Sequence, residues 1–481
     1  MIRFSDILSI IQQYNPKADF DLLQLGYDFA KEAHKGQMRR NGEEYIQHCL
    51  GVAQYLAKIK MDEATIIAGL LHDVSDETSI TLIDIKKNFG EDVAFLVEGV
   101  SRLGKIKYRG LSRYVENLRK MFVSITHDIR IIFIKFADRI NNLETLSVLE
   151  PVKQLRIARE VLEVYAPIAG RLGIGYFKGE LEDLAFQYVY PEEYANIRAL
   201  VEPKIHEREK YLEGIKKVFE ESLKQEGVAP LRVDSRVKRL YSTYRKILKK
   251  DTISLDGIYD LVAVRIIVES IADCYVTLGI IHKHWKPLPA MIKDFIAQPK
   301  PNNYRSLHTT VFCEKGEIVE FQIRTLEMQR EAEFGIAAHW NYDESGKNSR
   351  IITKNLDWLQ EFFNGRTTGA LTHEEYLQSL KLDVFQNRIF VFTPKGDVIN
   401  LPENATSVDF AYHIHSDIGR RCSGVRINDS IAPLENILKS GDVVEIIIEK
   451  NRKKPSMDWL KFVKTNLART HIKAQLRAQK K

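Results

Sequence analysis

His48, the adjacent pair His72 and Asp73, and Asp138 are residue types that bind divalent metal ions, and all four lie in the first third of the chain. Two imidazoles with two carboxylates make a mixed nitrogen and oxygen donor set. Such a set suits a manganese-like ion better than the thiolate sets of structural zinc do, and it points to hydrolysis by a metal-activated water. The elements that must position these groups are also readable. The segment from Glu63 to Val74 has apolar residues at helical intervals and delivers His72 and Asp73 together at its C-terminal end. Ile131 to Asp138 is a second apolar segment, helix or buried strand, which Asp138 closes. A lone His-Asp dipeptide is often coincidence, so the reading rests on the set of four.

A second constellation lies further along. Tyr259 to Val268 is nearly continuous in β-branched and apolar residues, as expected of a strand buried on both faces, and Asp260 stands at its entrance where it would meet a cation. Ile318 to Arg324 alternates strictly, so Val319, Phe321 and Ile323 face one way and Glu320, Gln322 and Arg324 the other. That polar side is either a working face or the solvent side of a half-exposed strand. Ser235 to Lys246 and Met291 to His308 are rich in Lys and Arg with embedded tyrosines. Cations near carboxylates point to nucleotide phosphates and magnesium.

The chain of 481 residues, 44% hydrophobic, exceeds what one core supports, so two to four domains of about 100 to 200 residues are expected. Cys49, Cys274, Cys313 and Cys422 lie far apart with no Cys-x-x-Cys spacing, which favours reduced thiols and a cytoplasmic protein over a zinc ribbon. No apolar run approaches the roughly 18 residues of a membrane span, and no secretory leader pattern is read at the start. The net charge of +6 is uneven: residues 450 to 481 hold eleven Lys or Arg against one acid, Asp458, leaving −4 for the rest. This tail reads either as a cationic helix with an exposed Trp459 for RNA phosphates or as an ordinary solvated end.

Three stretches, His34 to His48, Leu70 to Val74 and Ala137 to Leu143, resemble the hydrolase half of RelA/SpoT-type (p)ppGpp enzymes, an all-helical HD domain that removes the 3′-diphosphate. By that resemblance His48, His72, Asp73 and Asp138 hold manganese, and Arg39, Arg40, Asn142 and Thr145 hold the nucleotide. The family's catalytic Glu-Asp pair stands here in reversed order as Asp76-Glu77. A carboxylate shifted by one methylene is misplaced by about 1 Å, enough to cost roughly 100-fold. Two outcomes are therefore open, a bifunctional enzyme or a synthetase whose HD site only binds nucleotide.

Ser235 to Lys246, Met291 to His308, Glu320 to Thr325 and Ala337 to Trp340 resemble the same family's nucleotidyltransferase-like α/β synthetase domain, which transfers pyrophosphate from ATP to the 3′-hydroxyl of GDP or GTP. The resemblance implies that Arg236, Lys238, Lys246, Lys293, Lys300 and Asn302 contact substrate, and that Tyr304 stacks on guanine while His308 lines the site. It further implies that Asp260 binds magnesium and Glu320 activates the acceptor hydroxyl. Ser235 and Asn303 replace the usual glycines, and Met291 stands where bifunctional members place arginine. The retained Lys293-Asp294 pair favours the bifunctional class.

Asp383 to Ile448 resembles a TGS domain, a small β-grasp module with hairpin strands around Pro394 to Gly396 and a helix at Ser407 to Ser416. In long members that module approaches uncharged tRNA on the ribosome through a histidine, which is Arg420 in Gly419-Arg-Arg-Cys422 here. The expected architecture is multidomain: an HD domain at 1–155, a helical connector at 156–225, a synthetase domain at 226–345, a linker at 346–380 around a helix at 356–363, a TGS domain at 381–449, and a basic helical tail at 450–481. The zinc-finger and ACT-type modules of longer members have no counterpart in these residues. A tRNA or ribosome-binding sensor with little catalysis remains the alternative of a different class. If both activities are present, the connector is expected to couple them so that one site closes as the other opens.

Overall fold

Apolar residues recur at helical spacing from the outset. The chain folds accordingly into α1 (Phe4–Tyr14), α2 (Phe20–Ala33), α3 (Ile46–Lys58), α4 (Glu63–Leu71), a single turn at Val74–Glu77, α5 (Leu82–Gly104) and α6 (Arg130–Glu144). This computed structural model describes residues 1–104, 127–250, 261–289, 291–300, 302–342, 388–439, 441–449, 452 and 454–477. Asp260, the linker at 346–380 and its helix at 356–363 lie outside the described residues.

The side chains of Asp19 and Asp62 accept the N–H groups of Leu22 and Thr65 and so cap α2 and α4. Helix α4 is buried on every side, with Ile66, Ile67, Leu70 and Leu71 fully enclosed. Each such residue stabilises the fold by about 1.5–3 kcal/mol, which fixes the point where the helix ends and His72 begins. Asp138 differs from the sequence expectation. It does not close an apolar segment but sits in the middle of α6, whose buried face continues through Ile140 and Leu143.

Helices α7 (Pro151–Glu160), α8 (Ala166–Arg171), α9 (Gly175–Val189) and α10 (Pro191–Gln225) follow, with a π-helical turn at Val161–Tyr165 between α7 and α8. The chain turns from α8 to α9 through Gly173 at φ 77°. A Cβ there would stand 2.9 Å from the Asn302 carbonyl oxygen, and one on Gly175 would overlap the Ala332 carbonyl. The two glycines therefore let this turn lie directly on the backbone of the middle region.

The middle region comprises β1 (Arg232–Val237), α11 (Leu240–Lys250), β2 (Val262–Val268), α12 (Ile271–His284), β3 (Lys286–Pro287), β4 (Lys293–Asp294), β5 (Leu307–Phe312), β6 (Ile318–Thr325) and α13 (Leu326–Phe334). The sheet runs β1-β2-β6-β5-β3, with β4 also paired to β5; β2 and β6 are parallel and the other pairs antiparallel. Val264, Ile266, Phe321 and Ile323 fill the core beneath it against Phe219 of α10. The polar side of β6 is not solvent-facing: Gln322 is 6% and Arg324 2% exposed.

The second compact unit is built on the hairpin β7 (Arg388–Phe392) and β8 (Val398–Pro402), helices α14 (Ser407–Ile414) and α15 (Ser416–Arg421), strands β9 (Cys422–Ile427), β10 (Ser430–Ala432) and β11 (Val444–Ile448), and α16 (Asn466–Arg477). The tail corrects another expectation. Trp459 is 4% exposed, packed with Val463, Ala468 and Ile472 against Val408, Ala411 and Tyr412, and the Arg452 guanidinium lies 4.8 Å over its ring. Apolar residues at helical spacing gave the tail a face to bury, which its high charge concealed. Asp409 fastens it, accepting from Thr406 N–H and hydroxyl on one side and from Lys464 N–H, Thr465 N–H and the Thr465 hydroxyl on the other. The fold is thus an all-helical region, an α/β region and a small β-rich module, the classes expected. Among the described residues no helix is long and apolar enough to cross a membrane.

Candidate functional site

Helix α3 brings His48, the end of α4 brings His72 and Asp73, and α6 brings Asp138 to one point. His48 Nε2 lies 3.2 Å from His72 Nε2, 3.4 Å from Asp73 Oδ2 and 3.6 Å from Asp138 Oδ1. His72 Nε2 lies 3.2 Å from Asp73 Oδ2 and 4.0 Å from Asp138 Oδ1. The opposite ring nitrogens are already engaged, His72 Nδ1 with the Gly69 carbonyl at 2.8 Å and His48 Nδ1 with Asn141 Oδ1 at 2.7 Å. With Nδ1 donating in both rings, both Nε2 lone pairs converge on the carboxylates. Ligand atoms of His48, His72 and Asp138 all fall within 4.8 Å of one another. Two lone pairs and two carboxylates in a buried pocket fit a divalent cation.

The charges around the cluster favour the ionised, ligating form of its carboxylate Asp138. Burial opposes ionisation of Asp138, but Lys135 and Arg139 outweigh it and hold its carboxyl well below the usual carboxylate range. Lys135 Nζ is 2.8 Å from Asp138 Oδ2, and the Tyr45 hydroxyl donates to Asp73 Oδ2 at 2.7 Å. Arg39 donates to Asn141 Oδ1 at 3.3 Å and Asn142 Oδ1 at 2.7 Å, and Asn142 in turn donates to Asp138. Arg40 is exposed, and the Thr145 hydroxyl donates to the Asn141 carbonyl at 3.4 Å. Asp76 accepts the Ser101 hydroxyl at both carboxylate oxygens, 2.7 and 2.8 Å, while burial beside Asp73 and Asp76 raises the pKa of Glu77. His34 carries no role that its sequence position suggests. It is buried, stacks on Tyr45, donates from Nδ1 to Gln37, and carries an Nε2 with no hydrogen-bond partner among the described residues.

The second site is a cavity of about 470 Å³ over the polar side of the sheet. Arg236, Lys238, Lys246, Lys293 and Lys300 line it, with Asn302, Tyr304, His308 and Glu320. Asn303 adopts φ 58°, the left-handed backbone its position demands, and Lys300 N–H to Tyr304 O at 3.1 Å closes the turn. The Lys300 ammonium lies 4.4 Å from the Phe295 ring centre and 4.8 Å from that of Tyr304. The side chain keeps solvent contact, yet its ammonium sits down in the cavity. Loss of hydration there and the neighbouring Lys293 and Lys178 lower its pKa to about 8. His308 Nδ1 is 3.0 Å from Glu320 Oε1.

Lys178, Glu182 and Arg239 also line the cavity and were not foreseen. The first two stand on α9, more than fifty residues before the cation-rich loops, and their i,i+4 pairing, 3.7 Å apart, reads in sequence as an ordinary surface pair. Burial raises the pKa of Glu182. Gln322 was legible only as one of an alternating set.

A family model for the HD domain matches residues 26–175, one for the region found in RelA / SpoT proteins matches residues 235–347, and one for the TGS domain matches residues 389–448. The chain is 46% identical over 478 residues to a guanosine-3′,5′-bis(diphosphate) 3′-pyrophosphohydrolase of Aquifex aeolicus, covering 99% of this chain and 67% of that protein. It is 44% identical over 478 residues to a GTP pyrophosphokinase of Myxococcus xanthus, covering 98% of this chain and 62% of that protein. To the bifunctional (p)ppGpp synthase/hydrolase SpoT of Escherichia coli it is 42% identical over 483 residues, covering 100% of this chain and 68% of that protein. The chain therefore spans about 62 to 68% of the length of these relatives.

Proposed function

The chain belongs to the RelA/SpoT family, and from that premise we propose that it is a bifunctional enzyme. It makes (p)ppGpp by transferring pyrophosphate from ATP to the 3′-hydroxyl of GDP or GTP, and it hydrolyses (p)ppGpp to GDP or GTP plus pyrophosphate. The observation that carries this reading is the presence of two separate reactive constellations in one chain: the His48, His72 and Asp138 cluster, and the cation-lined cavity around Glu320.

In the hydrolase site His48, His72, Asp73 and Asp138 hold manganese. When bound, the ion lowers the pKa of a water and polarises a phosphoryl oxygen. Asn141 and Asn142 hold Arg39 beside the ligands, where it faces substrate phosphate, with Arg40 and Thr145 completing the nucleotide contacts. Ser101 of α5 donates to Asp76 of the turn at Val74–Glu77, and Asp76 with Glu77 manages the proton of the attacking water.

In the synthetase site Arg236, Lys238, Lys246, Lys293, Lys300 and Asn302 bind the phosphates, and Tyr304 stacks on the guanine beside His308. Glu320 accepts the proton of the 3′-hydroxyl. Asp260 with magnesium is the remaining part of the proposal and rests on the family resemblance. The two sites communicate through α9, supported by Tyr176 near Tyr55 at one end of that helix and by Lys178 and Glu182 in the cavity wall. Uncharged tRNA or the ribosome meets the TGS module and basic tail, and four buried free thiols agree with a cytoplasmic setting.

The test incubates the full chain with ppGpp and manganese, with and without chelator, and separately with ATP, GDP and magnesium. Chelator-sensitive pyrophosphate release together with ppGpp synthesis supports the proposal. Synthesis without release makes the chain a synthetase with a nucleotide-binding HD domain. Neither activity overturns the enzymatic reading in favour of a sensor.

A further inference from the structure

Four side chains of the cavity lining, Tyr304, His308, Glu320 and Gln322, form a closed hydrogen-bonded ring with the buried Arg324. Arg324 NH2 donates to the Tyr304 hydroxyl at 3.0 Å and to Gln322 Oε1 at 2.9 Å. The Tyr304 oxygen is 2.8 Å from His308 Nε2, and His308 Nδ1 is 3.0 Å from Glu320 Oε1. Gln322 Nε2 closes the ring on the same Glu320 oxygen at 2.9 Å. The ring spans adjacent strands, since His308 of β5 is the register partner of Gln322 of β6, and Glu320, Gln322 and Arg324 share one side of β6.

A guanidinium only donates and a carboxylate only accepts, so His308 presents Nδ1–H to Glu320. In the neutral ring Nε2 is then a lone pair, toward which Tyr304 turns its O–H while its oxygen accepts from Arg324. Both arms begin at one nitrogen of Arg324 and end at one oxygen of Glu320. The buried guanidinium makes these hydrogen bonds to a phenol and an amide rather than to a carboxylate, and its Nε has no partner among the described residues. Burying a guanidinium without a carboxylate partner is costly, so its place at the head of the ring points to a role.

We propose that Arg324 is a positioning residue for the synthetase reaction, acting through the Tyr304 hydroxyl and His308 to hold the imidazole neutral in its Nδ1–H tautomer and to fix Glu320 for the acceptor hydroxyl. The inference rests on the synthetase reading given above and assigns the Tyr304 hydroxyl a role separate from the stacking of its ring. The proton of the 3′-hydroxyl passes to the Glu320 carboxylate, and no proton moves along the ring. Groups facing His308 agree. Burial lowers its pKa, and Arg324 and Lys300 act in the same direction against Glu320. A protonated His308 would weaken Glu320 as a base, and Arg324 disfavours that state.

The experiment compares wild-type full chain with Tyr304→Phe, Arg324→Lys and Arg324→Met, reading kcat and KM for guanine nucleotide against pH, with ppGpp hydrolysis as the measure of intact folding. Tyr304→Phe keeps the ring and is expected to lower kcat about 100-fold, the scale of a 1 Å misplacement, while KM moves less than about 3-fold. Arg324→Met removes a cation that opposes protonation of His308, so the acid limb of kcat moves to higher pH, and Arg324→Lys returns it toward the wild-type position. Imidazole ¹⁵N spectra assign His308 to the neutral Nδ1–H tautomer in the wild type and show its protonation moved to higher pH in Tyr304→Phe and Arg324→Met, whether or not the protein turns over. An unmoved His308 titration in both variants, or variants with lowered kcat but an unmoved acid limb, would overturn the proposal. A wild-type chain that shows the tautomer but no synthesis instead overturns the synthetase reading.

Discussion

Asn141 Oδ1 lies 2.7 Å from His48 Nδ1, across 93 residues of sequence, and the same oxygen accepts from Arg39 at 3.3 Å. One amide thus orients a metal ligand and the proposed phosphate clamp together. Its own Nδ2 donates to Glu144, which the Tyr55 hydroxyl also meets at 2.5 Å. The amide fits because residue 51 is glycine: a Cβ there would overlap Asn141 Nδ2.

Replacing Asn141 with Ala is therefore expected to weaken manganese binding roughly 10- to 100-fold, the usual cost of losing such an outer partner. Gly51→Ala should do the same by displacing the amide. Hydrolysis measured in metal-buffered solutions would show the shift, with synthesis unchanged as the control. Equal metal dependence in both variants and wild type would refute the role.

The lowered pKa of Lys300, about 8, gives synthesis a pH dependence of definite sign. Phosphate favours the ammonium, so above about pH 8 nucleotide binding must take up a proton. Affinity then falls by at most about tenfold per pH unit, and stays level below pH 8. Lys300→Arg, charged throughout, should flatten the profile. Nucleotide titrations from pH 7 to 10 would measure it.

Gly173→Ala places a Cβ at φ 77° and 2.9 Å from the Asn302 carbonyl. The left-handed backbone alone costs roughly 1–2 kcal/mol, and the contact pushes Asn302 and its turn into the cavity. Synthesis should fall several-fold more than hydrolysis. Equal losses in the two activities would indicate global destabilisation instead.

Asp409 receives donors from two separate stretches of the second unit. Asp409→Ala leaves buried N–H groups and a hydroxyl without partners, and a loss of roughly 3 kcal/mol is expected. Scanning calorimetry should show a lower transition for this unit while both enzymatic activities persist. A shift under one degree would mean that the tail is held by Trp459 and its neighbours alone.

Residue type carried much of this protein into view, and distance in sequence hid the rest. His48, His72 and Asp138 announce themselves because imidazoles and carboxylates are rarely placed among Ile and Leu without reason, although the helical setting of Asp138 could not be told from a strand. The alternation of β6 was legible, but not that its polar side is buried, because the partners that make that burial tolerable, Tyr304, His308 and Arg236, lie elsewhere in the sequence. Trp459 looked exposed amid lysines because charge dominates a tail read by composition. Lys178 and Glu182 gave no signal, since nothing local to α9 says what the turn at Gly173 brings against it.

The match to the HD-domain model ends at residue 175 and the match to the RelA / SpoT region begins at residue 235. Lys178, Gly179 and Glu182, which wall the nucleotide cavity, fall in the gap between them. A recombination that exchanged residues 235–347 alone would carry across Glu320, Arg236 and Lys300 but leave this part of the cavity wall behind. The limits of the matched domains and the limits of the cavity therefore do not coincide.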